Sequence, residues 1–207
     1  MTRYLIDIRL MGPVKHQIMS LRNRLQETFR LENNLTTPHI TLAGPFTTRD
    51  EKRLLEDFAR VCSAGTTIPS YTVGGYSFFA GTRVICVTIT PDDALKDFRY
   101  RLASEIAPYC TLREYDREPA EDFRFHATLA MKLDWLTFQR IRWYFRNQDQ
   151  VTHHPHPIRA TLLRNSRILC EYDFLQQRML SPAQARCKAT RVRDHGMLRA
   201  WERKGRD

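Results

Sequence analysis

The chain has 207 residues, 42% of them hydrophobic and 27% charged, enough for one domain or two small lobes around an ordinary core. Its apolar runs fall far short of the roughly 18 residues of a membrane span. Arg3, Asp7 and Arg9 stand in the opening MTRYLIDIRLMG where a secretory signal needs apolar residues, and five scattered cysteines form no C-x-x-C pair. A reduced, cytoplasmic chain without disulfides or a zinc ribbon is expected. The net charge is +10, and positions 178–207 carry +6 of it, with nine Lys or Arg against three acids.

Arg3 to Leu10 alternates, with Tyr4, Ile6, Ile8 and Leu10 on one side and Arg3, Asp7 and Arg9 on the other, which predicts a strand. In KHQIMSLRNRLQETFRL the residues Ile18, Leu21, Leu25 and Phe29 recur at helical spacing. PHITLAGPF reads as a short strand ended by Gly44-Pro45. Thr48 and Glu51 then form a capping-box pattern ahead of an amphipathic helix through Leu54, Leu55, Phe58 and Val61. YTVGGYSFF and TRVICVTIT predict a hairpin across Ala80-Gly81, with Tyr76, Phe78 and Phe79 read as core rather than as a base-stacking platform.

The second half retraces this order. Leu95, Phe98, Leu102 and Ile106 mark a helix, and FRFHATLAMKL reads as a strand. A further helix spans about 136–145, with Phe138, Ile141 and Phe145 inward, before the closing strands PIRATLLRN and RILCEYDFL. Strand, helix, strand, helix, strand thus occurs about twice with no Gly/Ser linker between the copies. This predicts an α+β body over 1–177 with helices on antiparallel sheets. The basic tail, 178–207, offers sequence-independent attraction to phosphates; a solvated charge run or a helix packed on the body are its other readings.

Within the repeat lies a second one. HITLA occupies 39–43 and HATLA 126–130. The composition predicts only about 0.07 copies of H-x-T-L by chance, so two copies require a cause. On a strand, alternate side chains face opposite ways. Phe123, Phe125, Ala127, Leu129, Met131 and Leu133 would form an apolar face, and Arg124, His126, Thr128, Ala130 and Lys132 the other. In the first phrase Ile40 and Leu42 oppose His39 and Thr41. Each phrase then presents an imidazole and a hydroxyl together. Across a cleft, such pairs suit phosphodiester chemistry. One imidazole takes a proton from the nucleophile, the other protonates the departing oxygen, and the hydroxyls hold the non-bridging oxygens.

These paired motifs resemble the 2H phosphoesterase superfamily, in its 2′-5′ RNA ligase and cyclic phosphodiesterase branch. The resemblance covers about 1–175 and implies two pseudo-symmetric lobes of antiparallel sheet with outer helices around a central groove. It implies His39 and His126 as catalytic residues and Thr41 and Thr128 as phosphate ligands. It also implies action on 2′,3′-cyclic phosphates or 2′-5′ linkages at RNA or nucleotide ends, with a 2′-phosphate product. Gly44-Pro45-Phe46 and Met131-Lys132 depart from common versions of the motifs.

Arg124, Lys132 and Phe46 are further candidate substrate contacts, Phe46 by stacking on a base. The HHPHP run at 153–157 lacks Cys or carboxylate partners at ligand spacing, and no P-loop is present. The expectation is therefore a metal-independent, cofactor-free, monomeric phosphodiesterase acting on RNA or nucleotide ends, with weak reverse ligase activity and no membrane association. A non-catalytic nucleotide- or RNA-binding module and an enzyme for small cyclic or 2′-5′ nucleotides are the rival readings.

Overall fold

A computed structural model describes residues 1–32, 37–65, 68–148 and 152–204. The elements run β1 (Tyr4–Arg9), α1 (Gly12–Phe29), β2 (His39–Thr48), α2 (Glu51–Ser63), β3 (Tyr71–Phe79), β4 (Val84–Pro91), α3 (Asp93–Ile106) and β5 (Cys110–Thr111). They continue as β6 (His126–Ala130), α4 (Trp135–Tyr144), β7 (Arg159–Arg164), β8 (Arg167–Asp173), β9 (Arg178–Leu180), α5 (Pro182–Arg186) and α6 (Lys188–Lys204). The fold is α+β. One sheet has the order β5-β2-β1-β7-β8-β9 and the other β3-β4-β6, and every ladder is antiparallel. Among the described residues no helix is long and apolar enough to cross a membrane.

The sequence repeat survives as a spatial one, with an exchange. β2-β1-β7 in one sheet matches β6-β4-β3 in the other. Each half therefore keeps its H-x-T strand and first strand, and sends its third strand to the opposite sheet. The helices cross as well: α1 packs on β6 and α3 on β2. A single apolar cluster results, in which Ile6, Ile40 and Leu42 join Leu54, Phe58, Phe98 and Leu102, while Ile85, Ala127 and Leu129 join Ile18, Leu25, Phe138 and Ile141. Neither half can bury its core without the other.

Several local expectations change. Asp50, rather than Thr48, caps α2 by accepting from the Arg53 amide at 2.9 Å; Asp92 and Asp134 do the same for α3 and α4. A carboxylate one residue before the first helical turn satisfies an orphan N–H and meets the positive end of the dipole. Gly44-Pro45 does not end β2, which continues to Thr48. The ladder with β1 shifts register there, and the buried Asp116 carboxylate accepts from the Gly44 amide at 3.1 Å. Gly44 has φ 111°, and a Cβ would lie 3.0 Å from the Tyr4 carbonyl oxygen, so glycine is required for this bulge.

Residues from 178 to 204 fold onto the body; 205–207 lie outside the described residues. β9 extends the larger sheet, and α6 is held through Asp194, which is buried and ion-paired with Arg159 on β7. Arg159 also meets Glu171 at 2.8 Å and Asp173 at 3.5 Å. Register places Arg159 opposite Asp173, Thr161 opposite both Glu171 and Asp7, and Asp7 opposite Thr41. The polar face of this sheet is thus continuous from the H-x-T strand to α6. The helix covers its far end.

Candidate active site

β2 and β6 lie against one another although they belong to different sheets. Ile40, Leu42, Ala127 and Leu129 are buried behind them, whereas His39, Thr41, His126 and Thr128 are half-buried on the opposite faces. The period-two expectation thus holds at both phrases, and the four side chains come from adjacent strands.

The two imidazoles are fixed in the same way. His39 Nδ1 donates to the Thr37 carbonyl and His126 Nδ1 to the Arg124 carbonyl, each at 2.8 Å. A carbonyl oxygen only accepts, so Nδ1 carries the hydrogen in both rings and Nε2 is left for proton transfer. Burial pushes both imidazoles below their ordinary range, and on His39 the nearby charges of Arg22, Arg9 and His126 push the same way. That asymmetry comes from Arg22 on α1 and from the flanking strands. Arg9 stands opposite His39 on β1, whereas Thr88 stands opposite His126 on β4. Thr88 shares a 2.7 Å hydrogen bond with Ser77.

The motif strands are braced by two buried arginines that sequence reasoning missed. Arg22 of α1 donates through Nε and Nη2 to the Thr128 carbonyl at 3.0 and 2.6 Å. Arg99 of α3 donates to the Leu42 carbonyl at 3.3 Å and to the Glu118 and Tyr115 carbonyls. Each reaches the H-x-T strand of the other half. Desolvation brings the Arg22 guanidinium down to about 10, so it stays charged near neutrality and holds positive potential behind the tetrad. Both lie within apolar stripes, Arg22 between Ile18 and Leu25 and Arg99 between Leu95 and Leu102. An arginine at such a position is the signal that could have found them.

Four side chains move relative to expectation. Phe46 is only 1% exposed and stacks on Tyr4, so it is a core residue with no ring face for a base. β6 ends at Ala130, and Lys132 lies in an exposed left-handed turn (φ 59°), off the strand face of His126. Met131 is exposed too, so the apolar face stops at Leu129 and resumes only at Leu133. Phe79 leaves the core: Tyr76 and Phe78 pack on Phe145, but Phe79 stands edge-to-face with His126 at 5.0 Å. Alternation carried this information, since Phe79 shares a face with Ser77. Arg124 is exposed just before β6, and its carbonyl is what orients His126.

Asp7, beside Thr41, is 2% exposed and its Oδ1 has no hydrogen-bond partner. Burial, reinforced by Glu171 and opposed by Arg9 and Thr161, raises its carboxyl to about 7. A raised folded-state pKa contributes stability that is complete below the unfolded value of 3.8 and is lost as pH rises through about 7. The cost above that window is up to about 4 kcal/mol. Asp7→Asn removes it, so the variant's thermal midpoint should exceed the wild type's at pH 8, with a smaller gain at pH 5. A variant less stable at both values would show that Asp7 stays charged in its pairing with Arg9.

A family model described as the 2′-5′ RNA ligase superfamily matches residues 13–166. No curated protein matches the chain. The structure is similar to that of Kluyveromyces marxianus Usb1 with uridine monophosphate, at 13% identity and TM-score 0.42, covering 81% of this chain and 96% of that one. A second structure of Kluyveromyces marxianus Usb1 gives 13% identity and TM-score 0.43, covering 81% and 95%. The family match spans both H-x-T strands, all of the smaller sheet, and β2, β5 and β7 of the larger one. The chain belongs to the 2′-5′ RNA ligase superfamily of 2H phosphoesterases.

Proposed function

We propose that the protein is a metal-independent phosphodiesterase that opens 2′,3′-cyclic phosphates at RNA or nucleotide ends to a phosphomonoester. The observation that carries this reading is the matched pair of imidazoles, each with Nδ1 tied to the carbonyl two residues back and Nε2 left for proton transfer. Family membership supports an enzyme of this class.

His39 is the base and His126 the acid. The cations around His39 favour its neutral form, while among the influences on His126 none is a neighbouring charge. His39 Nε2 removes a proton from water as the oxygen attacks phosphorus. Thr41 and Thr128 donate hydrogen bonds to the non-bridging oxygens. His126 Nε2 delivers its proton to the departing ribose oxygen. With a 5′-hydroxyl in place of water as the nucleophile, the same steps in the same direction give ligation: His39 Nε2 takes the hydroxyl proton as its oxygen attacks phosphorus, and His126 Nε2 protonates the departing ribose oxygen.

Incubating the protein in EDTA with RNA ending in a 2′,3′-cyclic phosphate, and identifying the product, tests the reading directly. Turnover to a phosphomonoester is expected. Binding without turnover would leave a nucleic-acid-binding module.

The pH dependence follows from the directions above. Catalysis needs neutral His39 and protonated His126, so kcat/KM should be bell-shaped. Both free-enzyme imidazoles lie below 6.5, which places the maximum on the acid side of that value. The kcat profile should lie at higher pH, because a bound phosphate anion stabilises the imidazolium. A kcat/KM that keeps rising to pH 8, with chemistry rate-limiting, would remove the acid role of His126.

A further inference from the structure

A cavity of about 770 Å³ opens beside the tetrad rather than between its histidines. It is lined by Arg9, which also stands opposite His39 on the neighbouring strand. The first turn of α1, Gly12 to Val14, forms one wall, and the 153–158 segment, bridged to β3 by His153 and Val73, forms another. The remaining wall is α6, through Val192, Gly196 and Arg199. This helix lies beyond residue 166, outside the part of the chain matched by the family.

The chemistry of the walls is uneven. Arg9 and Arg199 provide cations, and no Asp or Glu is among the lining residues. The α1 N-terminus has no side-chain cap, so its dipole adds positive potential to that of the two arginines. Tyr71, Ile158, Pro155 and Val192 provide apolar surface. Val192 is 63% exposed although it faces this space. A cavity lined by two arginines, the imidazoles of His153, His154 and His156 and apolar surface suits an anion joined to a flat apolar body. Its volume falls within the roughly 300–1,000 Å³ of sites that enclose a small organic ligand.

We propose that this cavity binds the nucleotide next to the reacting phosphate, so that the preferred substrate is an oligoribonucleotide end rather than a mononucleotide. The inference rests on the phosphodiesterase reading given above. A chain leaving the reacting ribose past Arg9 enters the cavity directly. Its flanking phosphate meets Arg9 and Arg199, and its base lies against Val192 and the 155–158 segment. The buried Asp194–Arg159 pair keeps α6 in place as the wall.

Gly196 offers a clean test. A Cβ there would meet nothing within 4 Å, and a helical glycine is a poor helix former, so Gly196→Phe fills the cavity without strain in the helix. Arg199→Glu reverses one of its charges. The readout is the ratio of kcat/KM for a short RNA with a 2′,3′-cyclic phosphate to kcat/KM for a nucleoside 2′,3′-cyclic phosphate, with thermal midpoints confirming folding. The wild type should favour the RNA, and each variant should lower the ratio by about tenfold, the worth of one stacked base or phosphate contact. A wild type without preference, or a ratio that neither folded variant moves, overturns the proposal. If the wild type turns over neither substrate, the phosphodiesterase reading fails by itself. Fluorescence anisotropy with the same RNA then decides the cavity: Gly196→Phe must weaken binding by about tenfold, and equal affinities overturn it.

Discussion

His39→Ala and His126→Ala are each expected to lower kcat/KM for a 2′,3′-cyclic phosphate by about 10²–10⁴-fold, the usual contribution of a positioned acid or base. Neither change should unfold the protein. The imidazoles are half-buried on the outward faces of β2 and β6, and the packing behind them comes from Ile40, Leu42, Ala127 and Leu129. The hydrogen bonds lost, to the carbonyls of Thr37 and Arg124, end on exposed residues where water can replace the donor. The double variant should be little worse than the slower single one, because the two groups act in one step. A phosphodiester with a phenolate leaving group separates the roles. It departs without a proton, so His126→Ala should lose much less activity on it, while His39→Ala stays impaired. Wild-type rates in either folded single variant would remove the two-histidine mechanism, and equal losses on both substrates would remove the assignment of acid and base.

The tetrad was legible in the sequence because its geometry is local. Period two fixes which of Ile40, Thr41, Ala127 and Thr128 face together, whatever lies elsewhere in the fold. The same holds for α3, whose Leu95, Phe98, Leu102 and Ile106 are all buried as their spacing predicts. What was not legible depends on partners far away along the chain. The apolar stripe marks Arg22 as inward, but its partner is unknown until α1 is seen to lie under Thr128, 106 positions on. The Gly44-Pro45 dipeptide reads as a strand end until Asp116 is known to receive the Gly44 amide, 72 positions on. The strand exchange is legible only in part: the expected hairpin pairs β3 with β4, but β7 looks like the end of its own half until its pairing with β1 assigns it to the other sheet. The basic tail hid its structure for a further reason. Its charge dominates its composition, and the residue that docks α6 is one of its few acids, Asp194.

Arg159→Met should be the most destabilising single change among the polar residues of the fold, by about 3–5 kcal/mol at neutral pH. One guanidinium, 7% exposed, serves three carboxylates, those of Glu171, Asp173 and Asp194. It also donates to the Ala185 carbonyl at 3.0 Å. Methionine keeps much of the volume but strands three buried acids, and burial already holds the Asp173 carboxyl above its ordinary range. The stranded groups can relieve the cost only by taking up protons. Their folded-state pKa values would then exceed the unfolded ones, so the variant's stability should be greatest at low pH and fall as pH rises. The difference in thermal midpoint from the wild type should accordingly be large at pH 7.5 and much smaller at pH 5. Adding Glu171→Gln and Asp173→Asn to Arg159→Met should restore part of the loss at pH 7.5, because two of the stranded charges are gone. A deficit independent of pH, or no recovery in the triple variant, would trace the loss to packing at β7 rather than to charge. In the charge case the consequence reaches the cleft. Without Arg159, Asp194 has no counter-ion under α6, the helix loses its anchor, and the wall that Val192 and Arg199 add to the cavity lined by Arg9 goes with it.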